Sequence, residues 1–147
     1  MKIIIVGGVA GGMSAATRLR RLMEDAEIII FEKGPFVSFA NCGLPYYVSG
    51  EIANRDSLLV QTPESLKARF NLDVRPFHEV IQISPEEHTV TVRHDGQEFT
   101  EIYDKLILSP GAKPFVPTIE GLAEAKNVYM LRNVPDLDEI MAALDNH

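Results

Sequence analysis

The stretch that decides the fold is Lys2-Ile3-Ile4-Ile5-Val6-Gly7-Gly8-Val9-Ala10-Gly11-Gly12. It opens with an apolar, β-branched run, which is typical of a buried parallel strand. A glycine turn follows, and Met13 to Glu24 is rich in Ala, Leu and Arg, which predicts a helix. Glu27 to Phe31 is predicted as a second buried strand. Strand, turn, helix and strand within about thirty residues predict a right-handed βαβ unit.

The rest of the chain alternates between further strands and helices. Asp95-Gly96 separates two alternating runs and predicts a hairpin. Thr62, followed by Pro63 and Glu64, is typical of the start of a helix. The predicted strands are 80–84, 89–94, 98–103, 105–109 and 127–131, and the predicted helices are 63–70 and 135–144. The fold class is therefore α/β: a Rossmann-like βαβ unit with a parallel sheet, plus a small antiparallel β-meander.

Composition excludes several classes of function. The chain has 147 residues, 46% of them hydrophobic, and a net charge of −7, which argues against a partner that is DNA or RNA. No apolar stretch approaches the roughly 20 residues of a membrane-spanning helix. The N-terminal run leads into Arg18, Arg20 and Arg21 rather than a cleavage site, so we expect no signal peptide and a cytoplasmic protein. The histidines lack metal-ligand spacing, and no metal site is predicted; they are His78, His88, His94 and His147.

The glycine turn lies where a dinucleotide fingerprint belongs, after a strand and at the start of a helix. Free backbone N–H groups at a helix N-terminus suit a pyrophosphate. In the G-x-G-x-x-G register, Val9 stands where the middle glycine is expected. Glu32 ends the second strand twenty positions after Gly12, where a carboxylate accepts ribose hydroxyls and disfavours a 2′-phosphate. The alternative is a structural turn with Glu32 as an ordinary surface acid.

The segment Ser38 to Tyr47 holds Cys42, the single cysteine of the chain, which leaves no partner for an internal disulfide. Gly43 and Pro45 follow it, as in a turn that enters a short helix. A helix N-terminus stabilises a thiolate, the reactive form of cysteine. Taken alone, a single cysteine in an apolar setting is more often inert packing.

Four stretches together resemble the pyridine nucleotide-disulfide oxidoreductases, and among them the coenzyme A-disulfide reductases. They are Gly7 to Gly12, Phe31 to Lys33, Ser38 to Tyr47 and Tyr103 to Ala112, and the resemblance extends over the whole chain. It implies an oxidoreductase that binds FAD and takes electrons from NADH or NADPH. The reduced flavin then passes two electrons to a disulfide at Cys42, the catalytic residue.

The resemblance also assigns binding residues. Arg18 departs from the glutamine expected at its position, although it still suits a phosphate, and surface arginines are otherwise simply solvated. Three of the residues implied to bind coenzyme A, Ser14, Arg18 and Arg21, are spaced i, i+4 and i+7 and so lie on one face of the predicted helix. The residues implied to bind FAD are Gly7, Gly8, Val9, Ala10, Gly11, Gly12, Glu32, Lys33, Val80, Gly111 and Ala112, and those implied to bind coenzyme A are Ser14, Arg18, Arg21, Ser38 and Asn41.

Two differences separate this chain from other branches of the family. Members with two cysteines carry them as C-x-x-x-x-C, and Tyr47 stands at the second position here. NADH peroxidases and water-forming oxidases carry a histidine in the glycine turn, where this chain has Ala10. The resemblance therefore implies that Cys42 pairs with an external thiol. An oxidase or peroxidase with a cysteine sulfenic acid, and a non-catalytic nucleotide-binding module, remain the alternatives.

The resemblance further implies how the chain relates to a whole enzyme. Residues 1–147 correspond to a partial, N-terminal FAD-binding domain, without the NAD(P)H-binding and dimerisation domains of such reductases. We therefore expect a homodimer for the intact protein and no activity for this part alone. Either nicotinamide, and either coenzyme A disulfide or a persulfide as substrate, fits the sequence.

Overall fold

The computed structural model describes residues 1–145, so His147 lies outside the described residues. It contains seven strands and four α-helices. The strands are β1 Lys2–Val6, β2 Glu27–Phe31, β3 Asp73–Arg75, β4 Glu79–Ser84, β5 Thr89–His94, β6 Gln97–Ile102 and β7 Lys105–Leu108. The helices are α1 Ala10–Leu22, α2 Leu44–Val48, α3 Pro63–Phe70 and α4 Val134–Asp145. The chain divides into two compact units, Met1–Phe39 with Leu59–Gly111, and Ala40–Leu58 with the described residues from Ala112 onward.

A four-stranded parallel sheet in the order β3-β2-β1-β7 forms the centre of the first unit. Strands β1 and β2 pair with Ile4 opposite Ile29, and β1 and β7 pair with Ile4 opposite Leu106. Both central strands are almost wholly apolar because the sheet is covered on both faces. This arrangement confirms the predicted βαβ unit and parallel sheet.

Successive residues of β1 enter two separate hydrophobic clusters, since strand side chains alternate between faces. Ile3 and Ile5 pack with Met13 and Ala16 of α1 and with Leu66 of α3. On the opposite face, apolar side chains of the sheet pack against those of the antiparallel strands. That cluster contains Ile4, Ile29, Phe31, Val90, Val92 and Tyr103. The first unit is therefore a three-layer structure of helices, parallel sheet and antiparallel sheet.

The antiparallel sheet is the predicted meander, in the order β4-β5-β6. Asp95 and Gly96 connect β5 to β6 with φ angles of 49° and 76°. Two positive φ angles are what a type I′ hairpin turn requires. The hairpin prediction is confirmed, although β4 and β6 each begin one residue earlier than expected.

The second unit holds the cysteine segment. A 3-10 turn at Asn41–Gly43 runs into α2, and a second 3-10 turn covers Arg55–Leu58. Helix α4 packs against α2. Val134 and Leu137 of α4 are fully buried. The predicted helix at 135–144 is confirmed and extends one residue further at each end.

Three sequence-based expectations differ from the structure. Helix α1 spans Ala10–Leu22 rather than Met13 to Glu24, because the last glycines of the turn already have helical backbone. The 127–131 segment is not a strand: its apolar side chains are exposed, and no strand of the described chain pairs with it. Strand β3 was not predicted, because it has only three residues and one buried side chain, Val74.

Candidate functional site

The glycine turn is closely packed against the end of β7. Gly7 has a φ angle of 100°, and a Cβ added there would overlap the carbonyl oxygen of Ser109. A Cβ on Gly12 would overlap the carbonyl oxygen of Gly7. At Gly8 the nearest atom would be Cγ1 of Val37, at 2.9 Å. Glycine is therefore required at Gly7 and Gly12 by the backbone of the turn itself, whereas at Gly8 a side chain would be crowded by Val37.

The N-terminus of α1 is free to receive an anion. The first N–H groups of a helix have no intrahelical acceptor. Val9, the N-cap residue of α1, has no side-chain oxygen to satisfy them, and the first turn contains no acidic residue. The other two helices of eight or more residues cap themselves: Thr62 accepts from Ser65 in α3, and Asn133 and Asp136 exchange bonds at α4. Helix α1 thus has the donor set that a pyrophosphate needs.

The carboxylate of Glu32 joins the glycine turn to the chain that follows β2. Its Oε2 accepts from the Gly8 N–H at 2.8 Å, and its Oε1 accepts from the Gly34 N–H at 2.8 Å. A carboxylate offers about four acceptor positions, so two remain for hydroxyl groups. Lys33 beside it is exposed. The glycine turn, the uncapped helix and this carboxylate together fit a dinucleotide such as FAD.

Ser38 lies next to the same turn. Its N–H donates to the carbonyl of Gly8 at 2.9 Å, and its own carbonyl accepts from the Val60 N–H at 3.1 Å. Its φ angle of 47° is rare for a residue other than glycine. Ser38 is therefore held by backbone bonds in a strained conformation, which is a common property of residues at binding sites.

The helix positions predicted to bind coenzyme A lie on α1. Ser14, Arg18 and Arg21 are all exposed on α1. Arg20, between them, instead donates to the backbone carbonyls of Phe70 and Asn71 and so ties α1 to the end of α3. The structure thus separates a structural arginine from two arginines that face solvent.

Cys42 lies in the second unit, within the Asn41–Gly43 turn, and it is exposed. Gly43 is buried, and a Cβ there would lie 2.8 Å from Cδ2 of Leu58. Asn41 is half-buried. The prediction of a turn entering a short helix is confirmed, since α2 begins at Leu44. An exposed thiol on a closely packed turn is accessible to a substrate and held in place.

The remaining predicted residues lie on different elements. Val80 is on β4, where the pairing register shifts between Val80 and Gln82, and its half-buried side chain packs against the core. Gly111 has a φ angle of 73° and is the last residue of the first unit. Ala112 belongs to the second unit, and its carbonyl accepts a hydrogen bond from Nε of Arg132. Sequence reasoning missed Ser109 as a contact of the turn, although it lies within the run that carried the family resemblance.

Two of the histidines, His78 and His94, form a stacked pair. The rings of His78 and His94 lie 3.9 Å apart at 8° to each other. Nδ1 of each is within hydrogen-bonding distance of a backbone carbonyl, Pro76 and Phe77 respectively. Within residues 1–145, no group of three or more His, Cys, Asp or Glu side chains is arranged to hold a metal ion. None of the helices in the described chain is long and apolar enough to span a membrane.

Comparisons with known proteins agree with this geometry. The sequence model of the pyridine nucleotide-disulphide oxidoreductase family matches residues 1–146. The coenzyme A disulfide reductase of Staphylococcus haemolyticus is 44% identical over 149 residues, which cover 99% of this chain and 33% of that protein. This chain thus spans about a third of the length of that relative.

Two solved structures are closely similar. Reduced Bacillus anthracis CoADR-RHD superposes with a TM-score of 0.94 at 57% identity, over 98% of this chain and 26% of that one. The NAD-dependent persulfide reductase from A. fulgidus superposes with a TM-score of 0.93 at 35% identity, over 99% of this chain and 27% of that one. Both likenesses include the parallel sheet and the meander, which supports the predicted fold class.

Proposed function

Because the chain belongs to the pyridine nucleotide-disulphide oxidoreductase family, we propose that it is the FAD-binding part of a reductase that acts on coenzyme A disulfide or a persulfide through Cys42. NADH or NADPH is the electron donor. The relatives named coenzyme A disulfide reductase and persulfide reductase support this substrate class. In this proposal the nicotinamide-binding and dimerisation domains belong to other parts of a cytoplasmic homodimer.

The first unit supplies the groups that would hold FAD. The free N–H groups at the start of α1 bind the pyrophosphate, and the glycines of the turn leave room for its oxygens. Glu32 accepts hydrogen bonds from ribose hydroxyls at the two acceptor positions that the Gly8 and Gly34 N–H groups leave open. The family resemblance assigns four further residues to FAD binding: Lys33, Val80 through its backbone, Gly111 and Ala112.

Cys42 carries the chemistry of this chain. Its thiolate attacks one sulfur of the disulfide, the S–S bond breaks, and one coenzyme A thiolate leaves, so that Cys42 is left in a mixed disulfide. The chemistry that FAD supplies when bound is the pair of electrons that returns this mixed disulfide to two thiolates. The observation that carries the proposal is the exposure of the only cysteine of the sequence on a closely packed turn.

Coenzyme A is strongly anionic, so its recognition requires cations and hydrogen-bond donors. Exposed Arg18 and Arg21 can pair with its phosphates, and arginine is well suited to bidentate phosphate recognition. Ser14, Ser38 and Asn41 supply polar groups. These five residues are assigned by the family resemblance, and the exposure of the two arginines supports the assignment.

The test compares two disulfides that differ in charge. The full-length protein is incubated with coenzyme A disulfide or with the neutral hydroxyethyl disulfide, and adducts on Cys42 are followed by non-reducing intact mass. We expect a coenzyme A adduct that dithiothreitol removes and that Cys42→Ser abolishes. We also expect Arg18→Gln with Arg21→Gln to slow the reaction of coenzyme A disulfide but not that of the neutral probe.

Two outcomes would contradict the proposal. If coenzyme A disulfide reacts with Cys42 no faster, relative to the neutral probe, than it does with free N-acetylcysteine, the protein does not recognise coenzyme A. If the purified protein instead carries an oxygen adduct on Cys42 and consumes oxygen or peroxide with NADH, the sulfenic acid chemistry of an oxidase or peroxidase is the better assignment.

A further inference from the structure

The turn that carries Cys42 rests on one buried side chain. Leu58 is fully buried, and its Cδ2 occupies the space beside Gly43, the residue after the cysteine. Its carbonyl also accepts from the Ala40 N–H at 2.8 Å, on the other side of the cysteine. Leu58 therefore lies against the Cys42 turn on both flanks.

Leu58 belongs to the 3-10 turn Arg55–Leu58, and Arg55 at the start of this turn is held by an ion pair. Nε and Nη2 of Arg55 donate to Oδ1 and Oδ2 of Asp138, both at 2.7 Å. This is the bidentate arrangement that fixes the orientation of both planar groups. The hydrogen bonds that Arg55 donates to Asp138, together with the negative charge of that carboxylate, raise the pKa of Arg55 against the lowering effect of burial.

Asp138 is in turn held on a rigid support. It lies in α4, next to the fully buried Leu137. The N-terminus of α4 is closed by Asn133 and Asp136, since the Asp136 N–H donates to Asn133 and the Asn133 N–H donates to Asp136. Helix α4 also packs on α2, which follows Cys42 directly. The carboxylate is thus fixed relative to the element that follows the cysteine.

We propose that Arg55 and Asp138 are positioning residues for Cys42, which act through Leu58 and Gly43 to hold the thiol turn where it meets its substrate. The inference rests on the proposed function, because it assigns the pair to the reaction of Cys42. It also gives α4 a role: the helix lies about 90 residues after the cysteine in the sequence and supports it in the fold.

The test measures selectivity rather than stability. In the full-length protein, the rate constant of Cys42 with coenzyme A disulfide is divided by that with the neutral hydroxyethyl disulfide, well below the unfolding temperature. We expect Asp138→Asn and Arg55→Lys each to lower this ratio at least about tenfold, within the ~100-fold that a 1 Å misplacement can cost. The rate with the neutral probe stays close to that of the unsubstituted protein, because the thiol remains exposed.

A swapped pair and a remote pair serve as controls. Arg55→Asp combined with Asp138→Arg restores opposite charges and is expected to recover most of the ratio. The remote control is the ion pair between Arg93 and Glu98 in the first unit, with an N–O distance of 2.9 Å and half-exposed side chains. Glu98→Gln removes this ion pair and is expected to leave the ratio unchanged.

The possible results separate this inference from the proposed function. A high ratio in the unsubstituted protein that persists in Asp138→Asn overturns the positioning role alone. A ratio no higher than that of free N-acetylcysteine overturns the proposed substrate and this inference together. A lower unfolding temperature without a change in ratio assigns the pair to stability only and also refutes the positioning role.

Discussion

Replacing Gly12 by alanine tests whether the glycine turn is required by its own packing. The neighbouring Gly11 is the matched control, because both residues lie in the first turn of α1. A Cβ on Gly12 would overlap the carbonyl oxygen of Gly7, whereas a Cβ on Gly11 would meet only Oγ of Ser109, at 3.2 Å. The same substitution on adjacent residues therefore faces backbone in one case and a side-chain hydroxyl in the other.

The expected magnitudes follow from these contacts. In a helix, alanine is favoured over glycine by about 1 kcal/mol, so Gly11→Ala should change the free energy of unfolding by between about 0 and +1 kcal/mol. Gly12→Ala forces the Gly7 carbonyl away, at an overpacking cost of about 3 kcal/mol. Movement of Gly7 also disturbs the bond from its N–H to Phe31, at 2.8 Å, which is worth about 1 kcal/mol. The net destabilisation is about 3 kcal/mol.

The assay is urea unfolding followed by far-UV circular dichroism, with thermal unfolding as a second measurement. A loss of about 3 kcal/mol lowers the melting temperature of the 147-residue chain by roughly 6 to 12 °C. Gly11→Ala should melt at the same temperature as the unsubstituted protein or slightly higher. Equal unfolding midpoints for the two alanine variants would refute the steric argument, because only the Cβ on Gly12 overlaps a backbone atom.

Three further predictions concern the helices that cover the sheet. Arg20→Met removes the bonds to the carbonyls of Phe70 and Asn71, at 2.9 and 3.0 Å, and should cost about 2 kcal/mol in urea unfolding; Arg20→Lys should recover only part of this. The pKa of Glu64 is lowered by a hydrogen bond from its own backbone N–H and then by Thr62, so its stabilisation is present above about pH 4.5 and is lost at lower pH. Glu64→Gln should therefore flatten the acid side of the stability profile, and an unchanged profile would contradict this. Asn71 has a φ angle of 49°, so Asn71→Ala should cost about 1 kcal/mol in thermal unfolding while Asn71→Gly should cost almost nothing; equal effects would contradict the conformational argument.

Elements specified by local chemistry were predicted to the residue. Strands β1, β2 and β5 carry their own periodicity, and α3 carries its own cap at Thr62. The turn at Asp95-Gly96 needs only two positive φ angles, which these residue types favour. The βαβ unit and the meander were predictable for the same reason, because their signals lie within a few residues of each other.

Features that depend on distant parts of the chain were not predictable in this way. Strand β3 is a strand because β2 offers it a parallel partner: Ile30 lies opposite Val74. The apolar run at 127–131 has strand composition but pairs with no strand of the described chain. Arg55 and Asp138 are 83 residues apart, so only the folded structure reveals their ion pair.

The candidate site also contains both features that local sequence predicts and features that depend on distant parts of the chain. Glu32 could be chosen from motif spacing, and Cys42 from the family resemblance. In the structure Glu32 accepts hydrogen bonds with both oxygens and Cys42 is exposed. That Gly8 and Gly34 already occupy two positions of the Glu32 carboxylate depends on loop conformation, which spacing does not specify. The contact of Ser109 with Gly7 requires β7 to return beside β1, which is a property of the sheet order.

The second unit is built from two stretches of chain that are synthesised at different times. Ala40–Leu58 leaves the ribosome well before α4 is complete at Asp145. At typical elongation rates this interval lasts roughly 4 to 17 s. During it the nascent chain presents Cys42 to cellular disulfides before its supporting helix exists. A mixed disulfide formed on Cys42 at that stage would be released by attack of another thiolate, which is the same thiol–disulfide exchange as in the proposed activity.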